Sequence, residues 1–422
     1  MEKQIAGEPL NILHTIGMKQ LYPIVRMQLI FTDKLDVTRL KKAIKLVTQA
    51  VPQLKSVYNL ADNSWQVAER LVEQILVEID DKTNPDALKW DLFKEPQLKI
   101  YDQHLKTGDV LYIYLSHILS DGGGFKQLIY LLADCYNRGE AAIKGVQNDQ
   151  DINEIITAIG TASEKMPLRT DHPHENYFFP EVNKFEPETA KFEVHNFKIP
   201  AEFFSKMRQT AKLQTATVND LFLTAYLRTL AYYCDQSQLS LACPTDLRQF
   251  LGQAAAQKLR VANFTARYNL TVAIDPNEPF ATSLLKVHQE MQQLKRSKQF
   301  LSSITELLTK YQQQTPTELR QIAEADYHIR PISYTNLGIV DEKRLQFNQA
   351  PIKECIFSGA FRRYPNYQVA FSSFKGDAQL VFNMIGTTQE QLVGQQLLTS
   401  IAADMFNFAY GLEGKKNDYD RK

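Results

Sequence analysis

The sequence has few cysteines, no long apolar run and no excess of charge of either sign. The four cysteines lie in apolar stretches and never form a C-x-x-C pair, so we predict reduced core thiols rather than disulfides or a metal site. They are Cys135, Cys234, Cys243 and Cys355. No segment approaches the roughly 20 apolar residues that a membrane span requires. Acidic and basic residues both number 48, which gives no reason to expect nucleic acid or anionic lipid as a partner.

The chain is too long for one hydrophobic core, which predicts two units. One core rarely serves more than about 300 residues, and this chain has 422 residues with an ordinary hydrophobic content of 44%. We predict a first half over residues 1–165, a proline-rich crossover linker over 166–187 and a second half over 188–422. The N-terminus lacks the apolar stretch of a secretion signal, so we expect a cytoplasmic protein.

Hydrophobic periodicity predicts strands and helices in both halves. Residues 24–32 alternate as a strand does, and Asp36 then caps a helix that Pro52 stops. Residues 109–117 are apolar on both faces, as expected of a central strand. Strands of the second half are predicted near residues 191–199, 239–243, 264–274, 332–335, 355–361, 367–374 and 379–384. This mixed order predicts an α/β or α+β architecture with two mixed sheets.

The most informative segment is His117-Ile118-Leu119-Ser120-Asp121-Gly122, at the end of the predicted central strand. Asp121-Gly122-Gly123-Gly124 predicts a turn that leads into the next helix. Ligand crevices open at strand C-termini in layered α/β proteins, and an imidazole with a pKa of about 6.5 is largely a free base at neutral pH. His117 is therefore a candidate general base. Asp121 either bonds the imidazole or turns away and holds the loop through an arginine.

Other interpretations of the segment from His117 to Gly124 stay open on the pattern alone. A buried histidine bonded to a loop carbonyl, with Asp121 as a helix N-cap, fits the same residues. A phosphate-binding loop is disfavoured, because Gln127 stands where G-x-G-x-x-G needs its third glycine. The segment His172-Pro173-His174-Glu175 has ligating side chains but no distant partner at a defined spacing. We predict an exposed loop there and no metal site.

Further phrases follow in the second half, and together they carry a family resemblance. They are Thr217-Val218-Asn219-Asp220-Leu221, Pro244-Thr245-Asp246-Leu247-Arg248, Ala262-Asn263-Phe264 and Tyr334-Thr335-Asn336-Leu337-Gly338. In this order after His117, Asp121 and Gly122, they resemble the chloramphenicol-acetyltransferase-like superfamily. That superfamily includes condensation domains of peptide synthetases, plant BAHD acyltransferases and bacterial alcohol O-acetyltransferases. The resemblance spans most of the chain.

Some positions favour one branch of the superfamily over others. The chain is most similar to the alcohol O-acetyltransferase-like branch, in the D-G-x-G and D-L-R-x-F phrases at residues 121–124 and 246–250. Ser116 stands where condensation domains usually carry a second histidine, and Ala262 stands where the superfamily often has glycine. The D-F-G-W-G phrase of the plant enzymes is absent.

The resemblance implies a fold and an activity. The fold would be two chloramphenicol-acetyltransferase-like subdomains that form a pseudo-dimer, with the active site in a tunnel between them. The activity would be acyl transfer of the EC 2.3.1 type from acyl-CoA, as co-substrate, to a small alcohol or amine, with no permanently bound cofactor. Two alternatives remain: a free-standing condensation-type enzyme that uses an acyl or peptidyl carrier protein, and a non-catalytic binding member of the fold.

The resemblance also implies roles for single residues. His117 would deprotonate the acceptor, while Asp121 would pair with Arg248 across the two halves and orient the loop. Backbone N–H groups of the glycine segment, Gly122 and Gly123 among them, or the side chain of Asn336 would stabilise the oxyanion. Thr217 and its neighbours, by contrast, are predicted to cap a helix rather than to contact a ligand.

Overall fold

The structure is a computed structural model that describes residues 3–87, 90–160, 182, 189–233, 238–327 and 329–412. Cys234, the segment from His172 to Glu175 and nearly all of the predicted linker lie outside the described residues. The predictions made for them therefore stay predictions.

The first half of the chain forms eight strands and four α-helices among the described residues. The strands are β1 (Gln4–Ala6), β2 (Leu21–Tyr22), β3 (Ile24–Phe31), β4 (Ser56–Asn59), β5 (Ser64–Val67), β6 (Leu76–Ile79), β7 (Leu98–His104) and β8 (Asp109–Ser116). The helices are α1 (Pro9–Leu13), α2 (Val37–Ala50), α3 (Gly122–Arg138) and α4 (Asn153–Ile159).

The second half forms eight further strands and seven α-helices among the described residues. The strands are β9 (Lys191–Ile199), β10 (Gln238–Asp246), β11 (Thr265–Ala273), β12 (Ile332–Val340), β13 (Ile352–Ser358), β14 (Phe361–Arg363), β15 (Tyr367–Phe374) and β16 (Asp377–Gly386). The helices are α5 (Ala201–Leu213), α6 (Val218–Tyr233), α7 (Gln253–Ala256), α8 (Phe280–Arg296), α9 (Thr305–Lys310), α10 (Pro316–Asp326) and α11 (Thr388–Ala409).

Two large mixed sheets, each covered by helices, organise the described part of the chain. One has five strands in the order β13-β3-β8-β7-β6, and the other has the order β11-β10-β12-β15-β16-β14-β2, with β9 also paired to β16. Both contain parallel and antiparallel neighbours, which confirms the predicted class with two mixed sheets. A small antiparallel sheet, β1-β5-β4, was not predicted.

Local signals in the sequence explain several element boundaries. The Asp36 side chain accepts a hydrogen bond from the N–H of Arg39 at 3.0 Å and so begins α2 as its N-cap. That helix ends at Ala50, two residues before Pro52, because proline cannot donate the hydrogen bond that a further turn needs. Strand β8 lies between β3 and β7, which accounts for apolar residues on both of its faces.

The two large sheets exchange strands between the halves. Strand β13 belongs to the second half but pairs antiparallel with β3 of the first half, with Cys355 opposite Leu29. Strand β2 belongs to the first half but pairs with β14, with Tyr22 opposite Phe361. The predicted single strand at residues 355–361 was wrong, because the chain leaves one sheet after Ser358 and enters the other at Phe361.

Three of the four cysteines lie in the described part of the chain. Cys135, Cys243 and Cys355 are buried free thiols. Burial raises the pKa of Cys135 and of Cys243 to about 12, so both stay protonated and packed as small apolar groups. None of the helices described is both long enough and apolar enough to cross a membrane.

Candidate active site

Strand β8 delivers His117 to a cavity between the two halves. The strand ends at Ser116, and the N–H of His117 donates to the carbonyl oxygen of Pro23 at 2.9 Å. The side chain is partly exposed and lines a cavity of about 580 Å³. Residues of both halves form the walls, in the region where the tunnel was predicted. A volume of this order suits a small-molecule substrate.

The glycine segment differs from its prediction. Residues 121–124 were expected to form a turn, but helix α3 begins already at Gly122 and Asp121 is its N-cap. The carboxylate of Asp121 accepts a hydrogen bond from the N–H of Gly124 at 2.8 Å, so this N–H is not available to an oxyanion. Gly122 and Gly123 are the first two residues of the helix, where N–H groups have no partner within the helix. Both residues line the cavity.

Asp121 and Arg248 form a buried ion pair that joins the halves. Arg248 Nη1 lies 3.0 Å from the Asp121 carboxylate, and the two side chains are 8% and 3% exposed. Asp121 also accepts from the N–H of Phe264 at 2.6 Å and from the hydroxyl of Thr265 at 2.9 Å. Among the described residues, the Asp121 carboxylate makes these hydrogen bonds and none to the imidazole of His117. Of the two arrangements open at the sequence level, the structure therefore has the arginine pairing.

Electrostatics at Asp121 follow from this pairing. Burial alone would raise the pKa of its carboxyl group, but the charge of Arg248 and the hydrogen bonds it receives hold that pKa below its usual value. Arg248 also donates to the carbonyl oxygens of Arg260 at 3.0 Å and Ala262 at 2.8 Å. Ala262, where the superfamily often has glycine, thus keeps a backbone role. Its carbonyl also accepts from the Ser120 hydroxyl at 3.1 Å.

The imidazole of His117 is held as a neutral ring. Burial lowers its pKa below 6.5, and the charge of Arg362 lowers the pKa further. The charge of Asp121 and two polar groups near the ring, its own carbonyl and the Asn263 side chain, act in the opposite direction. Nδ1 is buried and makes no hydrogen bond of normal geometry. The nitrogen left to meet a substrate is therefore Nε2.

A second imidazole, which the sequence did not reveal, lies on His117. His14 follows helix α1, and its ring stacks on that of His117 with 3.8 Å between centroids and 15° between planes. Burial lowers the pKa of His14, and protonation of His117 would lower it further. Condensation domains usually carry a second histidine at the position of Ser116. The ring stacked here on His117 comes instead from a distant part of the chain. Nothing in the local sequence around His14 signals the contact.

Side-chain amides fix the backbone that follows β8. Asn263 Nδ2 donates to the carbonyl oxygens of His117 and Ile118, each at 2.8 Å. Asn11, on helix α1, donates to the same Ile118 carbonyl at 2.7 Å. The Ala262-Asn263-Phe264 phrase therefore supports the loop of His117 from the second half, and α1 supports it from the N-terminus.

The phrases around Thr217 and Asn336 also line the cavity. Thr217 and Asp220 bond reciprocally at the start of α6, as predicted for a cap. Asn219 accepts from the hydroxyl of Tyr334 at 2.6 Å and from Nδ2 of Asn336 at 2.9 Å. Asn336 lines the cavity but already gives one amide hydrogen to Asn219, which leaves one for a substrate.

The cavity opens where two parallel strands part. Strands β10 and β12 pair only at Ala242 and Ser333. Beyond that point both strands line the cavity, β10 up to Asp246 and β12 up to Gly338. Pro244 lies in the diverging part of β10, where a missing N–H breaks no bond to β12.

A group of metal-binding side-chain types lies at the other end of β8. Donor atoms of Asp102, His104 and Asp109 lie within 4.8 Å of one another. The ammonium group of Lys34 is 3.0 Å from Asp109, and His104 Nδ1 is 2.9 Å from the same oxygen. These contacts make an ion-pair cluster that already contains a cation.

Among known proteins, the chain is similar to solved structures, and the similarity is one of fold. No protein-family model matches the chain, and no curated protein matches it either. Solved structures match over nearly its whole length. The first condensation domain of the CDA synthetase superposes with a TM-score of 0.66 at 14% identity, over 96% of each chain. The chain has the condensation-domain fold.

Other proteins with the condensation-domain fold give similar values. Polyketide synthase associated protein 5 from Mycobacterium tuberculosis has a TM-score of 0.62 at 13% identity, over 96% of this chain and 98% of its own. The epimerization domain of the third module of tyrocidine synthetase B has a TM-score of 0.61 at 14% identity, over 97% of each. The chain spans 42% of the nonribosomal peptide synthetase FmoA3. The predicted chloramphenicol-acetyltransferase-like pseudo-dimer fold is confirmed.

Proposed function

We propose that this protein is an acyltransferase in which His117 is the general base. The observation that carries the proposal is the placement of this ring, with Nδ1 buried and the ring edge at the wall of a cavity between the halves. A neutral imidazole so placed can accept a proton at Nε2. The condensation-domain fold supports acyl transfer as the reaction class.

The reaction proceeds without a covalent enzyme intermediate. Nε2 of His117 accepts the proton of the acceptor hydroxyl or amine as its oxygen or nitrogen attacks the thioester carbonyl carbon. The carbonyl electrons move to oxygen. When the tetrahedral intermediate collapses, the carbonyl reforms and the carbon–sulfur bond breaks. The thiolate takes the proton from Nε2, which leaves an ester or amide, a free thiol and neutral His117.

The oxyanion has two sources of stabilisation in this site. Gly122 and Gly123 offer the first N–H groups of the 17-residue helix α3, whose N-terminus favours negative charge. The remaining amide hydrogen of Asn336, which also lines the cavity, is a further donor. We assign the main role to the helix N–H groups, because Asn336 is already bonded to Asn219.

Acyl-CoA is the proposed donor, and a carrier-protein thioester is the second candidate. The absence of a second histidine directly before His117, where Ser116 stands, favours the coenzyme A branch. The likeness to synthetase domains favours the carrier protein. The acceptor is a small alcohol or amine that fits a cavity of about 580 Å³.

Release of free thiol tests the proposal. Wild-type protein is assayed with acetyl-CoA, longer acyl-CoAs and acyl carrier proteins over a panel of alcohols and amines. His117→Ala should lower the rate about 10²–10⁴-fold, which is what a positioned base contributes. His104→Ala is the matched control and should keep wild-type activity, because His104 ends β7 opposite the start of β8, at the end away from His117.

Two results would contradict the proposed function. Equal thiol release by wild type and His117→Ala with every acceptor would remove His117 as the base. No turnover above the uncatalysed rate with any donor would instead favour a non-catalytic binding protein of this fold.

A further inference from the structure

The walls of the cavity carry more positive than negative charge. Among the described residues, five lysine and arginine side chains and two carboxylates line it. Both carboxylates, Asp121 and Asp246, bond Arg248, which itself is not part of the lining. The five basic residues are Lys126, Arg267, Lys295, Arg330 and Arg362.

Arg362, one of these five, has no carboxylate partner among the described residues. It is 8% exposed, lies on β14 and faces the cavity. Its guanidinium group donates to two neutral acceptors, the carbonyl oxygen of Arg330 at 3.4 Å and the hydroxyl of Ser333 at 3.1 Å. Nε is buried and has no hydrogen-bond partner.

The surroundings of Arg362 make its charge costly. Burial lowers the pKa of its guanidinium to about 10, and the charge of Arg267 acts in the same direction. The groups that oppose this effect are two tyrosines, Tyr327 and Tyr226, and no carboxylate of the described chain is among them. A buried cation without a partner is unfavourable unless a ligand supplies the opposite charge.

Arg362 and His117 line the same cavity, so one substrate can meet both. The charge of Arg362 contributes to the lowered pKa of the imidazole. Strand β14 pairs with β2, Arg362 opposite Leu21, and β2 leads to Pro23, whose carbonyl binds the N–H of His117. A ligand group held by Arg362 would therefore lie in the same cavity as the reacting atoms.

We propose that Arg362 binds a carboxylate carried by the reacting part of the substrate. The inference deepens the proposed function, on which it rests for the identity of the site. A planar guanidinium suits a carboxylate because it can donate two parallel hydrogen bonds.

The position of Arg362 in the cavity of His117 argues against the phosphates of coenzyme A as the anion. The pantetheine arm separates those phosphates from the thioester by many bonds, so they lie far from the base when the thioester is at it. The carboxylate then belongs to the acceptor, as in a hydroxy or amino acid, or to the acyl group, as in a dicarboxylic acyl thioester.

Calorimetric binding to the full-length protein tests the assignment without requiring turnover. The probes are hydroxy and amino acids, each compared with its own methyl ester, starting with 3-hydroxybutyrate and 4-hydroxybenzoate. Wild type should bind at least one acid at least tenfold more tightly than its ester. Arg362→Gln should lose that preference, while Arg363→Gln, an exposed arginine next to it on β14, should keep it.

Several outcomes would overturn the assignment. Esters that bind wild type as tightly as the acids would show that the carboxylate is not recognised. Unchanged acid binding by Arg362→Gln would place the site elsewhere, and absence of acid binding to wild type would also count against it. The acid-to-ester comparison needs no variant, so it stands if Arg362→Gln fails to fold. Arg362→Lys then provides a charge-conserving variant.

Turnover distinguishes the two sources of the carboxylate. Acetyl-CoA with a hydroxy acid and succinyl-CoA with a neutral alcohol are assayed side by side for thiol release. The assay in which thiol release falls in Arg362→Gln identifies the substrate that carries the carboxylate, either the acceptor or the acyl donor. Arg362-dependent acid binding without turnover in any arm would overturn the acyl-transfer proposal while the anion site stands.

Discussion

At the scale of single residues, the neutral state of His117 is the property on which catalysis depends. A general base must be unprotonated to act, and both burial and the charge of Arg362 favour the unprotonated ring. Asp121 opposes these effects only through its charge, since its hydrogen bonds go to other partners.

The activity should therefore resist mild acid. Because the pKa of His117 is lowered from 6.5, the ring stays neutral as pH falls through 6.5 and is protonated only at lower pH. We expect kcat/KM for a neutral acceptor to be flat from pH 8 to pH 6.5 and to fall with a single-proton slope below that. Thiol-release rates across this range check it. An inflection above 6.5 would contradict the inferred environment of the ring.

The stacked ring of His14 leads to a prediction about packing. Its own pKa is lowered, so it supplies a neutral flat surface against His117 rather than a charge. His14→Phe should keep activity within about threefold because an aromatic ring can take the same stacked position. His14→Ala should lower kcat about tenfold or more, since the base loses a neighbour that fixes its orientation.

Steady-state kinetics of the two His14 variants separate a packing role from a proton-transfer role. If His14 transferred a proton, phenylalanine and alanine would be equally damaging. A shift of the pH profile in His14→Phe would likewise contradict the packing role.

At the scale of elements, the start of α3 shows why glycine is needed at one helical position. A Cβ on Gly124 would lie 2.9 Å from the carbonyl oxygen of Arg260 and 3.0 Å from the N–H nitrogen of Ala262, both backbone atoms of the second half. Helix propensity alone favours alanine over glycine by about 1 kcal/mol. Overpacking against backbone costs about 1–3 kcal/mol and acts in the opposite direction.

We expect packing to dominate at Gly124. Gly124→Ala should lower the free energy of unfolding in urea by about 1–2 kcal/mol. Gly252→Ala is the matched control, because a Cβ there meets no atom within 4 Å. Its unfolding free energy should stay near that of wild type. A stabilised Gly124→Ala variant would mean that the two halves separate easily at this contact.

The elements also show what a sequence can and cannot predict. The two-faced apolar pattern of β8 and the cap at Asp36 are local signals, and both elements were predicted within one or two residues. The start of α3 was predicted wrongly, because three consecutive glycines are typical of a turn. Here Asp121 caps the helix and the close packing at Gly124 leaves no room for a side chain. His14 and Arg362 were missed, since their roles come from contacts with residues far away in the chain.

At the scale of the whole molecule, the buried Asp121–Arg248 ion pair joins the two halves, and breaking it should destabilise the protein. Asp121→Asn leaves Arg248 buried with less compensation, and breaking a buried pair in this way costs about 3–5 kcal/mol. Asp246 still bonds Arg248 at 2.9 Å, so we expect the lower end of that range. Urea unfolding of the variant measures the loss.

Asp134→Asn is the matched control for that experiment. It removes one carboxylate from the exposed pair with Arg138 and should leave the unfolding free energy nearly unchanged. A similar loss in both variants would mean that the buried pair is no more important to stability than a surface pair.

The crossing from β13 to β14 has a mechanical consequence. Residues Gly359 and Ala360 lie between two strands of different sheets, and both line the cavity. A rotation of one sheet against the other must bend this two-residue tether, because the strands on either side are held by their ladders. Because both tether residues line the cavity, a change in the angle between the sheets would also change the width of the cavity. His117 lines the same cavity, so a change in its width would also change access to the base.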